Sequence, residues 1–160
     1  MDMFSKKQLA SLLSLDRKIE VALYPAGIEV RVSAAMKGEL EAAIEMEKEK
    51  SWLPIWGQIK GFIMSNVSKI VLNLTKFATI SLEDVESMEV KDGKFRILRN
   101  NENILETAHM YGKVGQYEVD LKPGENGVFD PEDVSVFVKR VEEVKPLYMN
   151  YLDSIAKSSV

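Results

Sequence analysis

Few residues in this chain carry reactive chemistry. His109 is the only histidine, with Glu106 three residues before it and Tyr111 two after. Imidazole titrates near neutral pH, so a neighbouring carboxylate or phenol suggests an acid–base pair. On a strand, His109 and Tyr111 share a face. No second histidine and no glycine-flanked nucleophile accompanies them, and such catalysis needs converging partners. A structural or surface histidine is the better reading. Glu83 and Asp84 are adjacent, point apart in any regular backbone, and read as a turn and capping pair. Gly112-Lys113-Val114-Gly115 lacks the length and the lysine–serine ending of a phosphate loop, and reads as a plain loop. No catalytic residue is expected.

The chain has no cysteine, which excludes disulfides, thiolate metal sites and cysteine nucleophiles. Glu39, Glu41, Glu45, Glu47 and Glu49 crowd one helix-forming stretch. Helical di-metal sites add a histidine three residues after a glutamate, and none is present. These acids read as a solvated face, so neither metal nor cofactor is expected.

Recognition chemistry is better represented. Between Ser51 and Leu82 there is no Asp or Glu, yet Lys60, Lys69 and Lys76 occur there. Glu118–Glu143 holds eight acids against Lys122, Lys139 and Arg140. The molecule is therefore expected to be electrically polarised. Trp52 and Trp56, the only tryptophans, flank Pro54. They suit either the edge of a core or an exposed anchor for a partner. Trp52, Trp56, Lys60, Lys69 and Lys76 form the candidate binding surface, with a protein or peptide as the expected partner. Three lysines are fewer than a typical membrane-binding cluster, which makes an anionic lipid the lesser alternative. A net charge of −4 and a pI near 5.2 give no general pull toward nucleic acid.

The elements that must carry these residues follow from periodicity. At 160 residues one domain is expected, large enough to bury a core. Ser5 and Gln8 have capping-box spacing, and Leu9, Leu12 and Leu13 share a helical face, so Ser5–Leu15 is expected to be a helix. Lys18–Tyr24 and Ile28–Val32 alternate cleanly around Tyr24-Pro25-Ala26-Gly27, which predicts a hairpin whose glycine takes the left-handed position. Ser33–Lys50 reads as a helix with Met36, Leu40, Ala43 and Ile44 inward. Strands are expected over Gln58–Met64, Ser68–Leu74 and Lys76–Ile80, then around Met88 and Val90, and around Phe95 and Ile97. Asp92-Gly93 between the last two predicts a type I′ turn. Ser81–Asp84 reads as one helical turn or a corner between strands. Ile104–Tyr111 reads as a strand, Gly112–Gly115 as a loop, and Tyr117–Leu121 as another strand. Asp130-Pro131 starts a helix with Val134, Phe137, Val138, Val141 and Val144 on one stripe. Pro146 is expected to end or kink it. Tyr148, Tyr151, Leu152 and Ile155 keep helical spacing beyond. No apolar run is long enough to span a bilayer and no secretory signal is recognised, so a cytoplasmic protein is expected.

From about residue 57 to 145 the order is several antiparallel strands, then one amphipathic helix. Gly61–Leu72 (GFIMSNVSKIVL) is similar to a "glycine, apolar strand, threonine-asparagine turn, arginine, apolar strand" pattern. Ile80–Val90 (ISLEDVESMEV) is similar to an "isoleucine-proline-x-x-aspartate-isoleucine, strand" pattern. Together they resemble the pleckstrin-homology-like domains, including the small bacterial and archaeal ones. Ser65, Lys69 and Ser81 depart from the usual threonine, arginine and proline, and residues 1–50 lie outside the pattern. The resemblance implies an α+β domain: a bent antiparallel sheet or partly open barrel over 51–160, capped by the C-terminal helix. Residues 1–50 would then be a helix–hairpin–helix appendage packed on it. The expected function is a non-enzymatic binding or scaffold domain for a protein or peptide, acting through a sheet edge or the Trp52–Lys76 surface. The alternatives are a roadblock-like α+β domain that dimerises through sheet edges, an anionic-lipid module, and an enzyme with an unrecognised site. Residues 1–50 are expected to pack on the barrel or to mediate self-association, so a homo-oligomer is among the expected partners.

Overall fold

A computed structural model of the chain describes residues 7–50, 78–114 and 117–158. The expected strands at 58–64 and 68–74, and the start of the one at 76–80, lie outside the described residues.

Strands β1 (Ala10–Leu13), β2 (Ile19–Tyr24), β3 (Gly27–Val32) and β4 (Ala78–Ser81) form one antiparallel sheet in that order. The β2–β3 hairpin follows directly from alternation. Ile19, Val21 and Leu23 lie opposite Val32, Val30 and Ile28, and all are buried. Pro25 and Ala26 alone connect the strands. Gly27 pairs with Tyr24 and is not among the residues of positive φ, contrary to the left-handed glycine expected. Proline fixes the first φ of the turn, and alanine completes it without needing the left-handed region.

The expected helix over Ser5–Leu15 is corrected: Ala10–Leu13 is a strand. Pairing with β2 sets Leu12 opposite Val21 and buries it. Turn chemistry then closes β1 onto β2. The Ser14 hydroxyl donates to Asp16 Oδ1 at 2.6 Å and accepts from the Ile19 amide at 3.0 Å, while the Lys18 amide donates to Asp16 Oδ1 at 3.0 Å. Arg17 takes φ 63° at the tip. Buried Ser33 ties this turn to helix α1 (Ala34–Lys50). Its hydroxyl donates to the Arg17 carbonyl and accepts from the Met36 amide at 3.1 Å, which is an N-cap. Met36 and Leu40 then pack with Val32, Val119 and Leu121, while Glu39, Glu41 and Glu45 are exposed.

β3 pairs with β4 from Gly27↔Ser81 to Val30↔Ala78, so strands on both sides of residue 50 share one sheet. A single 3-10 turn at Leu82–Asp84 then makes the corner to a second sheet. This sheet comprises β5 (Ser87–Lys91), β6 (Lys94–Arg99) and β7 (Glu102–Asn103). Asp92 and Gly93 join β5 to β6 with φ 54° and 77°, as a type I′ turn requires. Phe95 and Ile97 are buried, but β5 is exposed apart from half-buried Met88.

The expected strand over Ile104–Tyr111 is also corrected. Ile104–Thr107 is one helical turn, α2, capped by Asn103. Asn103 Oδ1 accepts from the Leu105 amide and from the Ile97 amide, both at 3.1 Å, so a long-range contact holds the cap in place. β8 (Met110–Val114) pairs with β9 (Tyr117–Leu121). Gly112–Val114 is therefore strand, and the expected loop does not begin there. A short helix α3 (Pro123–Asn126) precedes the long helix α4 (Pro131–Ser158). Asp130 Oδ2 accepts from the Asp133 amide at 3.3 Å at its start. α4 continues through Pro146, which does not end it.

The main core joins Leu12 and the inward residues of β2 and β3 to Phe95, Ile97, Phe129 and Phe137. Phe137 meets Phe95 edge to face, with centroids 6.4 Å apart. The class is α+β, as expected. Among the described residues the sheets have four, three and two strands, and none closes into a barrel.

Candidate functional site

Among the described residues β1 pairs only with β2, and no described strand lies on its other side. The Ser14 amide donates to the Ile19 carbonyl at 2.9 Å, which makes Ser14↔Ile19 a hydrogen-bonded pair. By alternation Leu12 and Ala10 also point their backbone groups at β2, and Ser11 and Leu13 point theirs away. Leu15 continues that outward series, and its amide already donates to the Val128 carbonyl at 2.9 Å. At the other end Leu9 and Ala10 both oppose Leu23, since the Leu9 amide donates to the Leu23 carbonyl at 2.7 Å. Two residues against one is a β-bulge, a common way to limit an exposed edge. The open edge is thus confined to Ser11–Leu13.

Helix α4 runs beside this edge and leaves a groove of about 660 Å³ between them. Leu9–Leu13 form one wall. Asp133, Val136, Phe137, Lys139, Arg140 and Glu143 form the other. Val136 is 70% exposed and Leu13 43% exposed, although both are apolar. Arg140 is held by Glu143 at 3.0 Å. The arrangement offers backbone donors and acceptors beside an apolar trough, which is what an extended segment needs for strand addition.

The other clusters are internally satisfied. On the outer face of the four-stranded sheet, Arg31 bonds Glu20 Oε2 at 3.2 Å, the Tyr24 hydroxyl at 2.6 Å and Gln8 Oε1 at 2.6 Å. Burial desolvates the guanidinium and lowers its pKa, but the bonds to Glu20 and Tyr24 outweigh this, and the net shift is upward. His109 Nε2 lies 2.8 Å from Asp120 Oδ1, with the two side chains 52% and 51% exposed. They sit by a shallow polar basin of about 420 Å³ that also holds Glu106, Lys94 and Lys122. No serine or threonine lines it among the described residues. Ser81 Oγ donates to Glu83 Oε1 at 3.3 Å, so Glu83 belongs to the corner. Among the described residues no three His, Asp or Glu side chains gather to hold a metal. No helix there is long and apolar enough to cross a membrane.

Trp52, Trp56, Lys60, Lys69 and Lys76 all lie outside the described residues. Sequence reasoning placed Leu13 on the apolar face of a helix and did not name Val136. One signal was available: Val136 is apolar yet falls off the stripe that Val134, Phe137, Val141 and Val144 share. No family model, curated protein or solved structure matches the chain.

Proposed function

We propose that the protein is a non-enzymatic binding module that takes an extended protein or peptide segment along β1, against α4. The observation that carries this reading is the outward backbone of Ser11 and Leu13 beside the apolar groove walled by Val136 and Phe137. A segment lying antiparallel to β1 would exchange backbone hydrogen bonds with Ser11 and Leu13 and set one apolar side chain into the groove. Each hydrogen bond contributes about 1 kcal/mol net and the side chain about 2 kcal/mol, against a large association cost. Affinity is therefore micromolar or weaker, as suits a scaffold contact. The PH-like resemblance is part of this proposal, since a bent sheet flanked by a C-terminal helix is an arrangement that accepts added strands.

The test is a displayed library of short peptides selected on the full chain, with affinities measured by fluorescence polarisation. Selected peptides should alternate apolar and polar residues. Val136→Glu should weaken them by about tenfold or more, the loss of one buried apolar contact, without moving the unfolding midpoint. N-methylating alternate peptide amides should abolish binding. Peptides that bind Val136→Glu as well as the natural chain, or no binder at about 1 mM, would overturn the reading.

A further inference from the structure

The groove beside β1 carries charge of opposite sign at its two ends. The Leu15 amide donates to the Val128 carbonyl, which ties the chain just after β1 to the chain just before α4. Strand and helix therefore run in opposite senses along the groove, with Asp133 towards Leu13 and Lys139 and Arg140 towards Leu9. Arg140 and Glu143 neutralise each other at 3.0 Å. The charges left for a ligand are the Asp133 carboxylate and the Lys139 ammonium. Both residues are exposed, and neither is held in an ion pair among the described residues. Asp130 and Glu132 add to the acidic end, where together with Asp133 they outweigh the roughly half positive charge of a helix N-terminus. Exposed Lys7 stands just before Leu9 and adds to the basic end. Val136, the exposed apolar residue of the wall, is three positions from both Asp133 and Lys139. At the rise of an α-helix that is about 4.5 Å either way along the axis.

We infer that the groove selects its segment by charge order: a basic side chain, then the apolar residue set against Val136, then an acidic side chain, read from the segment's N-terminus. This rests on the strand-addition reading and adds the chemistry of the partner to it. A segment antiparallel to β1 runs in the same sense as α4. Its N-terminal half meets Asp133, and its C-terminal half meets Lys139. One strand residue spans about 3.4 Å, so the charges fall one or two positions from the apolar residue. Two positions is the better spacing, because all three side chains then point to one face of the added strand. A single exposed ion pair contributes little. Reversing the order, however, turns two attractions into two repulsions while the composition, net charge and apolar contact stay the same. The chain's net charge of −4 favours a basic segment whatever its order, and the order is what the groove adds.

The test uses two fluorescein-labelled peptides, Gly-Thr-Lys-Thr-Leu-Thr-Glu-Thr-Gly and the same sequence with Lys and Glu exchanged, titrated with the full chain by fluorescence polarisation. At low ionic strength the lysine-first peptide should bind about fivefold or more tighter than the glutamate-first one. The ratio should fall towards one at about 1 M salt, where the screening length is about 3 Å. Asp133→Lys with Lys139→Glu exchanges the two ends of the groove and should make the glutamate-first peptide the tighter. A reversed preference needs a folded chain, so misfolding cannot imitate it, and the comparison on the natural chain decides by itself should the double variant not fold. Equal binding of the two peptides to the natural chain, tighter binding of the glutamate-first peptide, or a lysine-first preference that survives the double substitution would each overturn the inference and leave strand addition standing. Binding of neither peptide at about 1 mM would overturn both.

Discussion

From Pro131 to Lys145, α4 lies against the sheets. Phe137 is buried between β6 and β1, and the Lys145 ammonium donates to the Val85 carbonyl at the far end of the contact. From Leu147 to Ser158 the same repeat places Tyr148, Tyr151 and Ile155 on the same side of the helix, yet most of that side is exposed. The two halves share a pattern and differ in what covers it. A hydrophobic repeat records which face of a helix avoids water; it does not record whether the cover comes from the same chain. The first half is therefore a stability element, and the second carries the same pattern without being buried by its own domain.

Phe137→Ala would test that contrast most severely. The side chain is fully buried and meets both Phe95 and Phe129-lined core, so its loss should cost about 3–5 kcal/mol. Urea unfolding followed by circular dichroism reads this directly. A cost under about 1 kcal/mol would mean the first half is not docked as described, since ordinary surface changes fall below that value.

Pro146 stands at the junction of the halves, exposed and inside the helix. Proline lacks the amide that would bond the Glu142 carbonyl and costs about 3 kcal/mol relative to alanine in a helix interior. Pro146→Ala should therefore stabilise the chain, by about 1–3 kcal/mol, and raise the thermal midpoint by several degrees. A fall in the midpoint would show that the two halves are not one continuous helix.

At the start of the first half, Asp130→Ala removes a carboxylate cap from the Asp133 amide and should cost about 1 kcal/mol. Asp130→Asn should recover most of that, because the amide oxygen can still accept. Equal losses in both variants would mean that the charge of Asp130 near the helix dipole, not its hydrogen bond, carries the effect.

These residues also show how far the sequence can be read. The β2–β3 hairpin, the Asp92-Gly93 turn and the Asp130-Pro131 start are local signals: alternation over six residues, a dipeptide that tolerates positive φ, and a cap followed by proline. β1 was misread because Leu9, Leu12 and Leu13 satisfy helical spacing, and a four-residue strand is too short for its own period to compete. Pairing with β2 and the Ser14–Asp16 turn decide it, and both depend on residues outside the stretch. α2 was missed for a similar reason, since its cap Asn103 is fixed by the Ile97 amide on another strand. The groove joins β1 to α4 across more than 120 positions of sequence, so no local pattern could display it. The tryptophan and lysine surface expected from composition lies outside the described residues.

The smallest expected effect is the one that separates the halves most cleanly. Tyr151→Ala removes an aromatic from the same repeat as Phe137, but one that is only partly covered by its own chain. It should change stability by no more than about 0.5 kcal/mol, in the range of ordinary surface substitutions. The residual loss should come from contact along the helix with half-buried Tyr148, at i,i+3. The urea unfolding midpoints of Tyr151→Ala and the natural chain read this. A Tyr151→Ala cost of several kcal/mol would place the second half of α4 in its own domain's core. The two halves would then have the same role.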